Sequence, residues 1–301
     1  MNFINRNRNI FDYLRRKITR KYLKKICREH IKERDQLILF SYDFISQSIF
    51  MDGRFEDCEL TLIENIFKDQ LKNKITLDIG ANIGNHTVVF SKFSHKVYSF
   101  EPNPKVFEVL KLNTKDLKNV EIFNFGASSK KQSMHAKIPK LNCGGGSVSN
   151  EEAGEKDSNS YYEFSFDLIA LDTFKNIPNE DIGLVKIDVE GHELEAFKGM
   201  KSLLEKNKPV ILFEQNRGIT DGSSNEIDFL KNIGYKHLYE LKKIEDWVTP
   251  KFLPKILKSF MRLIEVLILG EPSSRLKLSP ISKLTKKKYD MLIFTSERID
   301  T

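Results

Sequence analysis

Short apolar runs rich in β-branched residues recur along the chain, and segments with helical spacing of apolar residues separate most of them. These runs predict strands near residues 75–79, 97–101, 120–125, 183–189, 209–214, 235–240 and 289–295. Strands that alternate with helices are typical of a parallel sheet whose two faces are both covered. The pattern therefore predicts an α/β fold of the Rossmann-like class, with helices on both faces of one sheet.

A glycine-bearing turn follows the first predicted strand, in the segment ITLDIGANIGN of residues 75–85. Strand, turn and helix in this order form the ligand-binding corner of a doubly wound sheet. The Gly-x-x-x-Gly spacing of Gly80 and Gly84 differs from the G-x-G-x-x-G of dinucleotide binders and from a phosphate-cradling loop. Asp78, just before the turn, would repel a pyrophosphate and attract the ammonium group of S-adenosylmethionine (SAM). The SAM-binding residues predicted here are Asp78, Gly80, Asn82 and Gly84.

The second predicted strand ends in an acid, Glu101, which lies 23 residues after Asp78. That interval leaves room for one helix and a return strand, so both acids fall at the same end of the sheet. A carboxylate at this position accepts hydrogen bonds from both hydroxyl groups of a ribose. We therefore predict that Glu101 binds the SAM ribose and that Asn103, in the FEPNP segment, also belongs to the cofactor site. The alternative interpretation, two ordinary loop acids, does not account for their positions at strand ends around a glycine turn.

Ionisable residues also occupy a third apolar strand, Leu184 to Val189, and the turn after it. The strand carries Lys186 and Asp188, and charged groups in a buried strand need a partner or a task. If a hydroxyl group were to accept the methyl group of SAM at this edge, a general base or a metal ion would be needed, because a hydroxyl is a poor nucleophile. Asp188 is a candidate base, divalent-cation ligand or anchor for the methionine part of SAM, and His192 is a candidate base near neutral pH. Glu190 is either a third catalytic candidate or an acid that stabilises the N-terminus of the next helix.

These segments together resemble the FkbM family of SAM-dependent methyltransferases. The matching segments are DIGANIGN (78–85), FEPNP (100–104), NCGGGSVS (142–149), LDTF (171–174), VKIDVEGHE (185–193) and the strand that ends at Glu214. The resemblance covers roughly residues 55–240 and implies a seven-stranded class I methyltransferase fold, in which the last two strands supply an antiparallel edge. It also implies O-methylation, often of sugars in bacterial surface glycans or of secondary metabolites, but it does not fix the acceptor.

Two other functions stay open from the sequence alone. After the third strand the chain reads Asp-Val-Glu-Gly, where nucleobase N-methyltransferases usually have an Asn/Asp-Pro-Pro-aromatic loop. This difference favours an oxygen acceptor, and it leaves RNA ribose methylation and non-catalytic SAM binding as alternatives. The histidines and cysteines show no ligand cluster for a transition metal, whereas Mg²⁺ bound through Asp188 stays an open alternative.

Charge divides the 301-residue chain into an acidic body and two basic segments. The whole chain has a net charge of +7, but residues 1–34 carry +9 and residues 251–288 carry +8, which leaves −10 for the remainder. Basicity is therefore not a property of the predicted catalytic body. We predict a basic N-terminal helical arm over residues 1–54 and a methyltransferase domain over 55–301, with an amphipathic helical insertion at 242–288.

Within the insertion, residues 251–270 form a predicted helix with one wide apolar side and one mostly cationic side. The apolar side either packs on the body or a second copy, or docks on an anionic membrane surface. A nucleic-acid partner is less favoured, because basic and aromatic residues interleave too little. No secretory leader or run of 18 apolar residues is found, and the three cysteines lack paired spacing. We predict a cytoplasmic protein that acts on a glycan or lipid-linked sugar, with a peripheral position at the inner membrane face, held through both basic amphipathic segments, as the open alternative.

Overall fold

The computed structural model describes residues 10–33, 35–139, 161–215, 219–220, 222–245, 250, 252, 254–269, 274–285 and 288–299. Its strands are β1 Ile75–Ile79, β2 Lys96–Phe100, β3 Val120–Phe123, β4 Gly126–Ala127, β5 Gln132–Pro139, β6 Tyr161–Ile169, β7 Ile182–Ile187, β8 Val210–Gln215, β9 His237–Glu245, β10 Ser274–Ile281 and β11 Tyr289–Thr295. Its helices are α1 Ile10–Glu33, α2 Phe44–Asp52, α3 Asp57–Leu71, α4 Asn85–Phe90, α5 Pro104–Thr114, α6 Glu193–Gly199, α7 Lys201–Asn207, α8 Asn225–Asn232 and α9 Lys255–Leu269. The segment 142–160, predicted to be a surface loop, lies outside the described residues.

The large sheet has the strand order β10-β9-β11-β8-β7-β1-β2-β3. Strands β3, β2, β1, β7 and β8 run parallel to one another, and β11 lies between β8 and β9 and is antiparallel to both. The fold is therefore the α/β class predicted from the sequence. Because β11 is antiparallel to both β8 and β9, strand β9 points in the same direction as β8. The carboxyl end of β9 therefore lies at the same edge of the sheet as those of β1, β2 and β7.

The prediction of seven strands is wrong by one, because the sheet has eight. The additional strand, β10, lies within the interval 242–288 for which only helix is predicted, and it pairs antiparallel with β9. Leu276 and Leu278 alternate with Lys277 in this strand, but such a brief alternation does not stand out among polar neighbours. Pro280 further weakens the strand signal, although proline is tolerated there because β10 is an edge strand.

Helices form the predicted terminal segments, with one shift in bounds. The structure contains α1 and α9 within the two segments predicted to be helical. The apolar pattern over 36–50 also predicts a helix within the N-terminal arm, and the observed helix α2 begins later, at Phe44. Asp43 sets that start, because its carboxylate accepts a hydrogen bond of 3.0 Å from the backbone N–H of Ser46. The division of the chain at residue 54 stays a prediction. Among the described residues, no helix has both the length and the apolar character needed to cross a membrane.

Two apolar clusters cover the two faces of the large sheet. On one face, Phe197 and Leu230 of α6 and α8 pack near Ile79 of β1. On the other face, Phe67 of α3 and Phe90 of α4 pack in a second cluster. Every residue of β1 is buried, as expected for a central parallel strand.

A second, three-stranded sheet with the order β4-β6-β5 stands beside the carboxyl edge of the large sheet. Besides the seven strands, the sequence pattern at Phe164 to Leu171 predicts an extended segment, and this segment falls largely within β6. Strand β5 and its antiparallel pairing with β6 are not predicted. Chain segments from both sheets therefore meet at the edge where the sequence places the candidate site.

Candidate functional site

The turn after β1 has the tight geometry that its glycines suggest. Gly80 has a φ of +77°, and a Cβ atom at this position would lie 1.8 Å from the backbone carbonyl oxygen of Asp188. Gly84 has a φ of +96° and forms the N-cap of α4. Only glycine fits position 80, because the turn must approach the end of β7 at backbone distance. The two segments that carry the predicted cofactor and catalytic residues are thus in direct contact.

Asp78 lies beneath this turn rather than in an open cavity. Its side chain is fully buried, accepts a hydrogen bond of 2.6 Å from the Thr87 hydroxyl, and lies 3.5 Å from the ammonium nitrogen of Lys186. It is absent from the lining of both cavities described below. Direct contact between Asp78 and the cofactor ammonium stays a prediction, because in this structure the carboxylate contacts Thr87 and Lys186.

Lys186 is the buried cation of the site. Its ammonium group donates a hydrogen bond of 2.8 Å to the carbonyl oxygen of Gly80, and it lies 3.5 Å from a carboxylate oxygen of Asp188 as well as from Asp78. Burial alone would lower the pKa of Lys186, but the nearby carboxylates of Asp188, Asp78 and Glu56 outweigh burial and raise the pKa. The charged lysine therefore ties the glycine turn to the end of β7.

Glu101 is buried at the end of β2 and is held by the backbone. Its two carboxylate oxygens accept hydrogen bonds from the N–H groups of Asn82, at 2.9 Å, and Asn103, at 2.8 Å. Burial is the largest effect on this carboxyl group and raises its pKa to about 7, although both backbone hydrogen bonds act in the opposite direction. Each carboxylate oxygen keeps a second lone pair for a further donor.

The side chains of Asn82 and Asn103 have local structural partners. Asn82 has a φ of +51°, and its side-chain oxygen accepts a hydrogen bond from the backbone N–H of Ile83. The side-chain oxygen of Asn103 accepts one from Lys105 N–H and so caps α5. Both residues contribute backbone N–H groups to Glu101, and both line the first cavity.

The first cavity is an open cleft of about 900 Å³ with a polar floor and an apolar wall. The floor comes from the turns after β1, β2 and β7 and includes Gly80, Glu101, Asp188, Glu190 and His192. The wall comes from the second sheet and consists of Met134, Ala136, Ile138, Phe164, Phe166 and Leu168. The sequence does not predict this wall, because its residues alternate with polar ones in strands that are weakly apolar.

The second cavity, also of about 900 Å³, adjoins the first through shared residues. Ile45, Asp188 and Glu190 line both cavities. The ionisable residues of the second cavity are Glu56, Lys186, Asp188, Glu190, Glu214, Lys288 and Asp290. Five carboxyl groups thus accompany two ammonium groups, and the Lys288 ammonium lies 2.9 Å from a carboxylate oxygen of Glu214. Glu56 and Lys288 are not among the predicted site residues.

Glu190 stands where the two cavities meet. Its backbone is left-handed, with a φ of +54°, an uncommon conformation for a residue other than glycine. Burial, followed by the nearby carboxylates of Asp188, Glu214 and Glu193, raises the pKa of Glu190 to about 7. The side chain thus combines access to both cavities with a proton affinity suited to exchange near neutral pH.

His192 faces the first cavity only. One ring nitrogen lies 3.0 Å from the Ser128 hydroxyl, and burial lowers the pKa of the imidazole. His192 does not line the second cavity, whereas Glu190 lines both cavities. A neutral histidine bound to Ser128 is suited to ligand contact on the side of the second sheet.

Glu193, which the sequence does not single out, holds the turn after β7. One of its carboxylate oxygens accepts hydrogen bonds from the backbone N–H groups of Gly191, at 3.0 Å, and Val189, at 3.4 Å. Burial raises the pKa of this carboxyl group. The turn that presents Glu190 is therefore fixed by the first residue of α6.

Asp188, at the carboxyl edge of the large sheet, is the residue predicted as a possible metal ligand. Within the part of the chain that the structure describes, no group of three or more His, Cys, Asp or Glu side chains is arranged to hold a metal ion. The Asp188 carboxylate lies 3.5 Å from the Lys186 ammonium.

The comparisons with known proteins identify the family of this chain. The family model of the methyltransferase FkbM domain matches residues 78–239, which is more than half of the chain. The chain belongs to the FkbM methyltransferase family. The family resemblance drawn from the sequence motifs is thereby confirmed, and the protein is a SAM-dependent methyltransferase.

Individual relatives of this FkbM methyltransferase share less than a third of its residues at matched positions. The hexuronic acid methyltransferase AglP of Haloferax volcanii is 28% identical over 172 residues, which are 56% of this chain and 68% of AglP. The structure of an FkbM methyltransferase from Methylobacillus flagellatus is 12% identical with a TM-score of 0.40, and the match covers 91% of this chain but only 58% of that one. Aeropyrum pernix fibrillarin with bound SAM is 13% identical with a TM-score of 0.35, and the match covers 56% of this chain and 59% of fibrillarin.

Proposed function

We propose that this enzyme transfers the methyl group of SAM to a sugar hydroxyl, in a bacterial surface glycan or a lipid-linked saccharide at the cytoplasmic face of the membrane. The observation that carries the proposal is the position of Glu190, between a cavity suited to the cofactor and a polar cavity suited to a sugar. AglP, which is named for methylating a hexuronic acid, supports a sugar as the acceptor class.

The first cavity is the proposed cofactor site. Glu101 accepts hydrogen bonds from the two ribose hydroxyls through the lone pairs that the backbone leaves free. The apolar wall of the second sheet covers the adenine, and the turn at Gly80 faces the methionine part. Asp78 acts indirectly, through Lys186, by holding that turn in place.

Glu190 is the proposed general base. SAM supplies an electrophilic methyl group on a cationic sulfur, so the chain must align the hydroxyl and take up its proton. The raised pKa of Glu190, about 7, makes its carboxylate a better proton acceptor than an ordinary glutamate and still leaves it ionised in a useful fraction at neutral pH. Asp188, fixed by Lys186, orients the reacting groups, and His192 contacts the cofactor side.

The charge of the second cavity restricts the sugar. Five carboxyl groups and two ammonium groups give a negative balance, and the Lys288 ammonium is already paired with Glu214. A uronate would place its own carboxylate among these groups, whereas a neutral or amino sugar would not be repelled. We therefore propose a neutral or amino sugar as the acceptor and expect the acceptor to differ in charge from that of AglP.

A methyl-transfer assay tests the function. Purified protein is incubated with isotopically labelled SAM and glycan or lipid-linked saccharide extract, and mass spectrometry identifies the labelled residue. We expect label on a sugar oxygen, lost in Glu190→Gln and kept in Glu205→Gln, which changes an exposed acid on α7. Label in RNA would replace the proposal by ribose methylation, and SAM binding without any transfer would indicate a non-catalytic protein.

A further inference from the structure

Helix α9 exposes its apolar side to solvent. The exposed fractions of Ile256, Phe260 and Leu267 are 88%, 60% and 76%, and Leu263 and Ile268 on the same broad side are also exposed. A soluble protein seldom presents a contiguous apolar surface of this extent unless that surface binds something. The apolar side of α9, which a surface helix normally buries, is therefore exposed and available for binding.

The polar side of α9 is the one that is covered. Lys258, Arg262 and Glu265 are all partly buried, and each makes polar or electrostatic contacts. A helix on a globular protein normally buries its apolar stripe and exposes its charges. This orientation is the reverse, and it is the orientation expected of a helix that lies in a lipid interface with its apolar side in the acyl region.

The topology fixes α9 to the edge of the sheet that carries the site. Helix α9 follows the carboxyl end of β9, and four residues separate its last residue from the start of β10. At that start, Ser274 pairs with Glu245 of β9. Because β9 runs parallel to β8, that end of the β9–β10 pair lies at the same edge as the cavities around Glu190. A surface that binds α9 would therefore meet the edge at which the acceptor enters.

Lysines next to α9 favour an anionic partner. Lys242 and Lys277 are exposed and directly opposite each other in the β9–β10 pair, with Glu240 two residues from Lys242, so this patch still presents two cations for one anion. A second copy of the chain docked on the same surface would bring lysines towards lysines, because a two-fold contact uses the same patch twice. Anionic lipid supplies both the apolar layer and the negative charge.

We propose that α9 lies in the interface of an anionic lipid bilayer, apolar side inward, and holds the acceptor edge of the enzyme at the membrane. This inference deepens the membrane location in the proposed function, but it depends on neither Glu190 nor the cofactor. A soluble acceptor would leave it intact, and failure of vesicle binding would leave methyl transfer intact.

Vesicle sedimentation tests the proposal at physiological salt, with phosphatidylglycerol–phosphatidylcholine vesicles compared with phosphatidylcholine alone. We expect wild-type protein to bind the anionic vesicles on the order of tenfold more tightly. The triple change Ile256→Gln, Phe260→Gln and Leu267→Gln should reduce this binding at least about tenfold. The matched control changes three exposed apolar residues of α1, Phe11→Gln, Ile18→Gln and Tyr22→Gln, and should keep the binding.

Several results would overturn the proposal. One is unchanged vesicle binding in the α9 variant, or loss of binding in the α1 control instead. Another is a wild-type dimer in solution that the α9 changes convert to a monomer without any vesicle binding. Loss of thermal stability or SAM affinity in the α9 variant would make the apolar side structural and would also exclude lipid docking. The charge reversal Lys242→Glu with Lys277→Glu, which leaves the apolar side intact, should by itself weaken binding to anionic vesicles.

Discussion

Replacing Glu190 with glutamine tests two effects of its carboxylate separately: the effect on the free energy of unfolding and the role in catalysis. The change removes a carboxyl group whose pKa is raised to about 7 by burial and by the neighbouring carboxylates of Asp188 and Glu214. Glutamine keeps the size of the side chain and carries no charge. We expect the variant to be more stable than the wild type at alkaline pH and to be nearly inactive.

The expected gain in stability follows from the pKa. Between the ordinary value of 4.5 and about 7, folded Glu190 holds a proton that the unfolded chain has released, so stability falls as pH rises through this window. The full difference corresponds to about 3 kcal/mol, which partial solvent access reduces to about 1–2 kcal/mol. The variant should thus match the wild type near pH 4.5 and exceed it by about 1–2 kcal/mol at pH 8.

Urea unfolding at several pH values measures this difference without any acceptor. The comparison between variant and wild type isolates Glu190, because Glu101 titrates in the same range in both proteins. In the glycan assay the same variant should lose about 100- to 10,000-fold in turnover, the usual contribution of a general base. If the stability difference were the same at pH 5 and pH 8, Glu190 would not titrate near neutrality. If turnover changed less than tenfold, another group would be the base.

Three further changes test other parts of the site. Glu101→Ala should weaken SAM binding by about 1.5–3 kcal/mol, and calorimetry should show that the loss of wild-type affinity as pH falls through about 7 disappears in the variant. Gly80→Ala should destabilise the fold by at least about 3 kcal/mol, because its Cβ would meet the Asp188 carbonyl, whereas the control Gly84→Ala meets only a flexible leucine end and should cost less in thermal unfolding. His192→Ala should change turnover less than tenfold in the glycan assay and weaken SAM binding modestly, since His192 faces the first cavity.

The strands of the large sheet could be predicted because burial on both faces makes them continuous apolar runs. β1, with every residue buried, is the clearest case. Strands β5 and β10 could not be predicted, because one face of each is exposed and their apolar residues alternate with polar ones. In β5, buried Ala136 and Ile138 are separated by a half-buried lysine, Lys137, so the sequence of this strand contains no continuous apolar run.

The site was predictable in position but not in the division of roles. Asp78, Glu101 and Asp188 all fall at the carboxyl ends of strands, where spacing alone places them. Spacing does not show which way a side chain turns: Asp78 is buried beneath the turn, and its contact with the cofactor stays a prediction. The second cavity brings in Glu56 and Lys288, which lie 232 residues apart in the chain and meet only through the fold.

Distance from Lys186 explains why acids of the same kind have different tasks at this edge. Asp78 and Asp188 each lie 3.5 Å from its ammonium group, and the attraction fixes them as supports of the glycine turn and the end of β7. Glu190 lacks such a contact, and burial with other carboxylates raises its pKa to about 7. An acid left among like charges becomes a better proton acceptor than an ordinary one. The single buried lysine of β7 therefore separates structural acids from the one we propose as the base.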